Sequence, residues 1–285
     1  MSMLDTKIAQ RLPADKLKEI AKRCRIDILE MLEKAASGHP GGSLSCIDLI
    51  VALFFHEMKL DPKMPLWEDR DRFILSKGHG VPSLYAVLAY LDIIPRSELA
   101  TLRKINSRIQ GHPDRVMLPV VEASTGSLGQ GLSIAQGIAL GLKLQKKESR
   151  VFCLMGDGET QEGQVWEAAL SAPKYKLNNL VVFIDNNNGQ IDGHVTEVMD
   201  LRPLTDKWRA FRWAVQEIDG HDFNQIIGAL EKARLETEKP TLIVAKTVKG
   251  KGVSFMENAI GWHGVTPNKE QLQQALIEIN GGLKS

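Results

Sequence analysis

Two oxygen-bearing side chains set the question this sequence poses. Asp157 stands in Gly156-Asp157-Gly158, and Asn187 in Asp185-Asn186-Asn187-Asn188-Gly189, 30 residues further on. A carboxylate and an amide oxygen suit a hard divalent cation. Mg²⁺ in particular takes one or two protein side chains and leaves its remaining positions to phosphate oxygens and water. Taken singly, Gly-Asp-Gly is a tight turn and the asparagine run a loop. Their placement says more. The apolar runs 151–155 and 180–184 have the buried-strand pattern, each ends at one of these motifs, and a helical pattern centred on Trp166, Ala169 and Leu170 separates them. A strand–helix–strand crossover makes its two strands parallel. Both motifs therefore open on the same sheet edge, where open α/β sheets place their ligands. Together they predict a metal–diphosphate site.

The histidines come next. Six of the seven directly adjoin a glycine: His39, His79, His112, His194, His221 and His263. Loop positions of this kind suit chemistry better than helix faces, and imidazole is the commonest general acid–base. No pair has the spacing of a zinc site. His194 and His221, both in Asp-Gly-His turns, and His56, inside a helical pattern, read as structural. Lys77-Gly78-His79-Gly80 lies between a short strand at 73–76 and a helix that starts near Pro82. The free N–H groups and dipole of such a turn can meet an anion, although its composition also fits a plain connection. Ser124-Thr125-Gly126-Ser127-Leu128-Gly129-Gln130-Gly131 opens a small-residue helix over 132–144. It is not a nucleotide loop, since Leu132 stands where a P-loop needs lysine and the glycine spacing is not G-x-G-x-x-G.

The elements that must position these residues follow from periodicity. Leu17, Ile20, Ala21, Cys24, Ile28, Met31, Leu32 and Ala35 make an amphipathic helix that ends at Ser37-Gly38. Residues 39–45 read as a loop, with Ser45 capping a helix that is apolar nearly all round and so buried. Later strands fall at 214–218 and 241–247 around a helix at about 222–235. The Val248-Lys249-Gly250-Lys251-Gly252 stretch reads as a mobile basic loop. Asn268 is placed to cap a terminal helix whose stripe is Leu272, Ala275, Leu276 and Ile279. The fold class is α/β, a parallel sheet flanked by helices on both faces. A single domain is expected over 1–285, with a core at about 14–250 and a C-terminal loop plus helix over 250–285.

Composition narrows the class. Across 285 residues the chain is 43% hydrophobic and 25% charged, with 36 basic and 35 acidic residues and a net charge of +1. This balance argues against a nucleic-acid partner held by bulk electrostatics. The longest apolar run, 49–55, is too short to span a bilayer. The N-terminal segment lacks a signal peptide's apolar core. Cys24, Cys46 and Cys153, odd in number and in apolar contexts, read as reduced, buried thiols. The expectation is a cytoplasmic protein with no membrane partner.

Gly-Asp-Gly followed about thirty residues later by Asn resembles the thiamine diphosphate motif. Ser37-Gly38-His39-Pro40-Gly41, Ser76-Lys77-Gly78-His79-Gly80, Gly111-His112-Pro113, Glu122-Ala123-Ser124-Thr125-Gly126-Ser127-Leu128-Gly129-Gln130-Gly131 and Trp262-His263-Gly264 resemble, in order, the N-terminal half of transketolases. The resemblance implies the thiamine diphosphate-binding fold. It implies that Asp157, Asn187 and the carbonyl of Gly189 hold Mg²⁺ or Ca²⁺ against the cofactor's diphosphate. His79 would contact that diphosphate, Gly158 the cofactor, Gly126 and Leu128 its aminopyrimidine, and Ile191 its thiazolium. His39, His112 and His263 would face the sugar, binding hydroxyls and moving protons. Glu162 and Glu167 match acidic residues at the family's subunit interface. Gly189 departs from the bulky aliphatic residue usual there, and Gly42 and Ser127 stand where full-length enzymes commonly have Ala and Pro.

The family's second half, which binds the pyrimidine and supplies an activating Glu, has no counterpart in the sequence beyond Thr266. The resemblance is therefore to the N-terminal subunit of a split transketolase. That subunit would transfer a two-carbon ketol group from a ketose phosphate to an aldose phosphate together with a C-terminal-half partner subunit, two copies of each forming a heterotetramer. Rival readings are a subunit of another thiamine diphosphate enzyme, deoxyxylulose-phosphate synthase-like or 2-oxo acid dehydrogenase-like, and a non-catalytic cofactor-binding protein.

Overall fold

The computed structural model describes residues 11–281; residues 1–10, where the segment read for a leader begins, and 282–285 lie outside them. In chain order the principal elements are α1 (Ala14–Ala35), α2 (Pro40–Ala52), β1 (Arg72–Leu75), α3 (Val81–Tyr90), α4 (Gln130–Leu144), β2 (Val151–Gly156), α5 (Gly163–Lys174), β3 (Leu180–Asn186), β4 (Gly189–Gln190), β5 (Gly193–His194), α6 (Val195–Val198), α7 (Leu204–Ala210), β6 (Ala214–Asp219), α8 (Phe223–Leu235), β7 (Thr241–Lys246) and α9 (Lys269–Ile279). Five strands form one sheet in the order β1-β2-β3-β7-β6. Every pairing in it is parallel, with Cys153 opposite both Ile74 and Val182.

Side chains alternate along each strand, so one sheet feeds two cores. Phe73, Leu75, Phe152, Leu154, Val181, Phe183 and Ile243 face a core shared with α1, α2, α3 and α8. Ile74, Val151, Cys153, Met155, Val182, Ile184, Leu242 and Val244 face a second core with α4, α5 and Trp208 of α7. Strands covered on both faces have no polar side to show, which is why β2 and β3 read as continuous apolar runs. The three thiols are free and buried. Among the described residues no helix is long and apolar enough to cross a membrane.

Two expectations need correction. The stretch 39–45 is not a loop: α2 begins at Pro40, with His39 as its cap residue. Pro40 suits a first helical position because its missing N–H has no partner there in any case. Ser45 therefore lies inside the helix and caps nothing. Its one O–H proton is shared between the Asp185 carboxylate and, more distantly, the Gly42 carbonyl at 3.1 Å. Every residue of α2 is buried, so packing overrides the weak helix propensity of Gly41 and Gly42. Second, β3 does not stop at Ile184 but runs on to Asn186, with Asp185 paired to Gly156 and Ala245.

Other readings agree with the structure. α1 buries Leu17, Ile20, Ala21, Cys24, Ile28, Met31 and Leu32. Beyond α2 a π turn covers Leu53–Glu57, and His56 within it bonds through Nδ1 to the Leu12 carbonyl at 2.9 Å, a structural role. Asn268 and Gln271 form a reciprocal capping box at the start of α9. Leu272 and Ile279 pack that helix on the first core.

Candidate active site

The C-terminal ends of β1, β2, β3 and β7 bring Lys77, Asp157, Asn187 and Lys249 to one edge of the sheet. Above that edge lies a cavity of about 330 Å³. All the residues singled out in the sequence as cofactor-, metal- or sugar-facing line it: His39, His79, His112, Gly126, Leu128, Asp157, Gly158, Asn187, Gly189, Ile191 and His263. Glu162 lies at its rim, while Glu167 is exposed on α5 and does not line it. The two remaining Gly-flanked histidines stand elsewhere. His194 Nδ1 meets the Asn188 carbonyl at 3.2 Å. His221 bonds Asp48 through Nδ1 at 2.7 Å and accepts the Val248 N–H on Nε2 at 2.8 Å.

The oxygen donors are held by their own backbone. Asp157 Oδ1 accepts the Gly158 N–H at 2.8 Å and its Oδ2 accepts the Asn188 N–H. Asn187 Oδ1 accepts the Gly189 N–H at 3.0 Å. Burial, and then the neighbouring Asp185 carboxylate, push the Asp157 carboxyl up to about 6. A divalent cation at such a buried carboxylate would stabilise its charged form. Among the described residues no three His, Cys, Asp or Glu side chains gather as a metal cluster. The set here is instead one carboxylate, one amide and one carbonyl, all hard oxygen donors of the kind Mg²⁺ and Ca²⁺ accept.

Beneath this set lies a charge network the sequence did not reveal. Asp185 is fully buried. Its carboxylate accepts from Lys77 Nζ, Ser45 Oγ, Thr247 Oγ1 and, at 3.1 Å, Asn187 Nδ2. Burial alone would raise its pKa, but the charge and hydrogen bond of Lys77 together with the Ser45 and Thr247 hydroxyls hold it below the usual carboxylate range. Burial likewise works against the charge on Lys77, and Asp185, with Cys46 and Asp157 behind it, reverses the sign. Glu159, 2% exposed, ties three segments together by accepting from Ser76 Oγ, the Gly129 N–H at 3.0 Å and the Gly156 N–H at 3.1 Å.

The stretch read as a mobile basic loop is another correction. Lys249 is buried and donates to the Gly189 carbonyl at 3.1 Å, with His263 Nδ1 2.9 Å away. The loop backbone is pinned by the Val248 N–H on His221 and the Gly250 N–H on the Gly41 carbonyl at 3.0 Å. Burial, and then Lys77, bring the Lys249 ammonium down to about 8. Gly189 makes room for this side chain, since a Cβ there would stand 2.7 Å from Lys249 Cδ.

The four histidines cluster. Ring centroids of His39 lie 5.3 Å from His79, 6.2 Å from His112 and 5.6 Å from His263; His79 and His263 stack at 5.3 Å. Burial first, and nearby positive charge second, bring His39 down to about 4 and His263 to about 3. The same causes lower His79 well below its ordinary value and lower His112 as well. At neutral pH these rings are uncharged, each with one N–H to donate and one nitrogen to accept. Two loops approach closely beside them. A Cβ on Gly78 would meet the Gly126 nitrogen at 2.8 Å, and Gly126 itself holds φ at 147°.

Comparison with known proteins agrees with this geometry. Residues 16–280 match the family described as transketolase, thiamine diphosphate binding domain. The 6-deoxy-6-sulfo-D-fructose transketolase subunit SqwG of Clostridium sp. (strain MSTE9) is 43% identical, over 88% of this chain and 91% of its own length. An apulose-4-phosphate transketolase subunit of Phocaeicola vulgatus is 41% identical, over 91% of this chain and 92% of its own. The crystal structure of Campylobacter jejuni transketolase superposes with a TM-score of 0.89 at 34% identity, covering 94% of this chain but 43% of that longer one. The chain thus belongs to the family of the transketolase thiamine diphosphate-binding domain.

Proposed function

We propose that this chain is the diphosphate-holding subunit of a two-subunit transketolase, moving a two-carbon ketol unit from a ketose phosphate to an aldose phosphate together with a C-terminal-half partner, two copies of each. One observation carries the reading: the Asp157–Asn187 oxygen set and four loop histidines line a single cavity. The names of relatives covered over most of their length support it, since both are called subunits of transketolases. One is named for a sulfonated ketose and the other for a phosphorylated one, and a ketose with an anionic end is the substrate class we assign.

The residues fit thiamine diphosphate with a divalent cation. Asp157, Asn187 and the Gly189 carbonyl would hold Mg²⁺ or Ca²⁺. His79 and the ammonium of Lys249 would meet the diphosphate, Gly158, Gly126 and Leu128 the cofactor's body, and Ile191, 71% exposed at the rim, its thiazolium. When bound, the cofactor supplies the electron sink for breaking and remaking a bond next to a carbonyl. The protein's share is binding and proton traffic. Uncharged His39, His112 and His263 can each bind a sugar hydroxyl and accept or return its proton without a charge to desolvate.

The test is a ketol-transfer assay with thiamine diphosphate, Mg²⁺ and a panel of anionic ketoses. The chain would be pulled from its own cells with bound partners and compared with the same chain made alone in a foreign host. Turnover confined to the native complex is expected. Full turnover by rigorously partner-free chain would refute the split-subunit reading, and cofactor bound without turnover on any ketose would favour a non-catalytic role.

A further inference from the structure

Arg103 does not line the cavity, yet it touches both loops that carry the outer histidines. Its Nη1 donates to Ser37 Oγ at 3.0 Å, two residues before His39. Its Nη2 reaches the Gly111 carbonyl at 3.5 Å, immediately before His112. Gly111 permits this approach, because a Cβ there would stand 2.7 Å from the guanidinium carbon and 2.8 Å from Nη2. Arg103 itself holds φ at 58°, a left-handed conformation that persists in a non-glycine residue only where its surroundings fix it. Among the described residues no carboxylate pairs with it, and its buried Nε has no hydrogen-bond partner.

We propose that Arg103 is a positioning residue for the substrate end of the cleft, its planar guanidinium clamping the loop before His39 to the loop before His112 and so setting the 6.2 Å spacing of their rings. The inference rests on the reading of His39 and His112 as sugar-facing. A fork of fixed N–H directions can span two loops in one geometry, which a lysine's single ammonium cannot. The absence of a carboxylate adds a second effect, since the charge acts on the imidazoles unscreened by a partner. After burial, Arg103 is the main influence lowering both His39 and His112. The other groups facing His39 are His112, Lys249, Lys77 and the rings of His79 and His263; His112 faces Arg103 and His39.

Arg103→Met, Arg103→Lys and Ser37→Ala test the clamp in two settings. In the assembled complex, Arg103→Met lowers kcat/KM for ketol transfer about 10- to 100-fold, the scale of a misplaced catalytic group. Thiamine diphosphate affinity stays at its wild-type value, and the acid limb of the pH profile moves to higher pH. Arg103→Lys keeps the acid limb in place but still loses most of kcat/KM. Ser37→Ala, which removes one arm, shows a smaller loss in the same direction and decides the matter if Arg103→Met does not fold. On the full chain without partner, NMR titration of the histidines shows His39 and His112 rising in Arg103→Met and unmoved in Arg103→Lys. Wild-type titrations and kinetics in Arg103→Met overturn the proposal. So does an activity loss that merely follows a fall in melting temperature or cofactor affinity. If the wild-type complex transfers no ketol unit, the proposed function fails while the titrations still decide Arg103.

Discussion

Asp185→Asn tests the buried network most severely, because it alters charge and barely alters shape. Asp185 and Lys77 are 0% and 1% exposed, so neither can turn to water when its partner is lost. With an amide at 185, the Lys77 ammonium loses its carboxylate partner and keeps only neutral acceptors, the amide oxygen and the Gly42 carbonyl at 2.9 Å. One of the two oxygens that accept from Lys77, Ser45, Thr247 and Asn187 becomes a donor. Removing one member of a buried pair costs about 3–5 kcal/mol, since the other is left charged and unpaired. For a domain of this size each kcal/mol lowers the melting temperature by about 2–4 °C, so the variant should melt about 6–20 °C below wild type. Urea denaturation of the chain gives the free energy directly. The companion Lys77→Met/Asp185→Leu, which removes both charges, should recover most of the loss. A cost for Asp185→Asn below about 1 kcal/mol, the worth of an exposed pair, would refute the argument. A double variant as unstable as the sum of the single changes would refute it equally.

Two further outcomes are expected. Asp157→Asn should weaken metal-dependent thiamine diphosphate binding by the complex about tenfold or more, the value of one charged ligand, as read by titration calorimetry with and without Mg²⁺; unchanged metal dependence would move the cation elsewhere. For the histidines the sign follows from proton uptake. His39 and His263 have folded-state pKa values of about 4 and about 3, below the ordinary value of about 6.5, so the unfolded chain binds more protons in between. Their stabilising share is complete above about 6.5 and is lost as pH falls through that window toward the folded values. The urea midpoint should drop on acidification through this range and drop less steeply in His39→Gln; a parallel slope in that variant would contradict the assignment.

What can be read from the sequence follows from what is local. Gly156-Asp157-Gly158, the asparagine run and the histidine–glycine turns are each written within a few residues, and their strand-end positions follow from two apolar runs. Asp185 is legible only as part of a loop-like run, because its strand pairing with Gly156 and Ala245 is not local and its side-chain partners Lys77 and Ser45 lie 108 and 140 positions away. Lys249 looks mobile because Lys-Gly-Lys-Gly is a loop composition. What fixes it is the triad of Arg25, buried Asp48 and His221, which reaches the loop through Val248 and through the Lys251 carbonyl. The start of α2 misleads for the same reason: two glycines weaken a helix in isolation, but a Cβ on Gly41 would stand 2.9 Å from the Trp262 carbonyl and 3.0 Å from Lys249 Cγ. A carboxylate inside Gly-Asp-Gly-Glu is the one local hint of Glu159.

The buried helix α2 has a consequence for how such a cleft can change its substrate. It delivers His39 and Gly42 to the cavity, and all thirteen of its residues are buried. Any replacement along it must conserve volume or shift two layers of packing. The wall formed by Gln190, Ile191 and Asp192 is of another kind, with Ile191 71% exposed. Substitutions that reshape the mouth of the cleft are therefore accommodated at that exposed wall at lower cost than along α2.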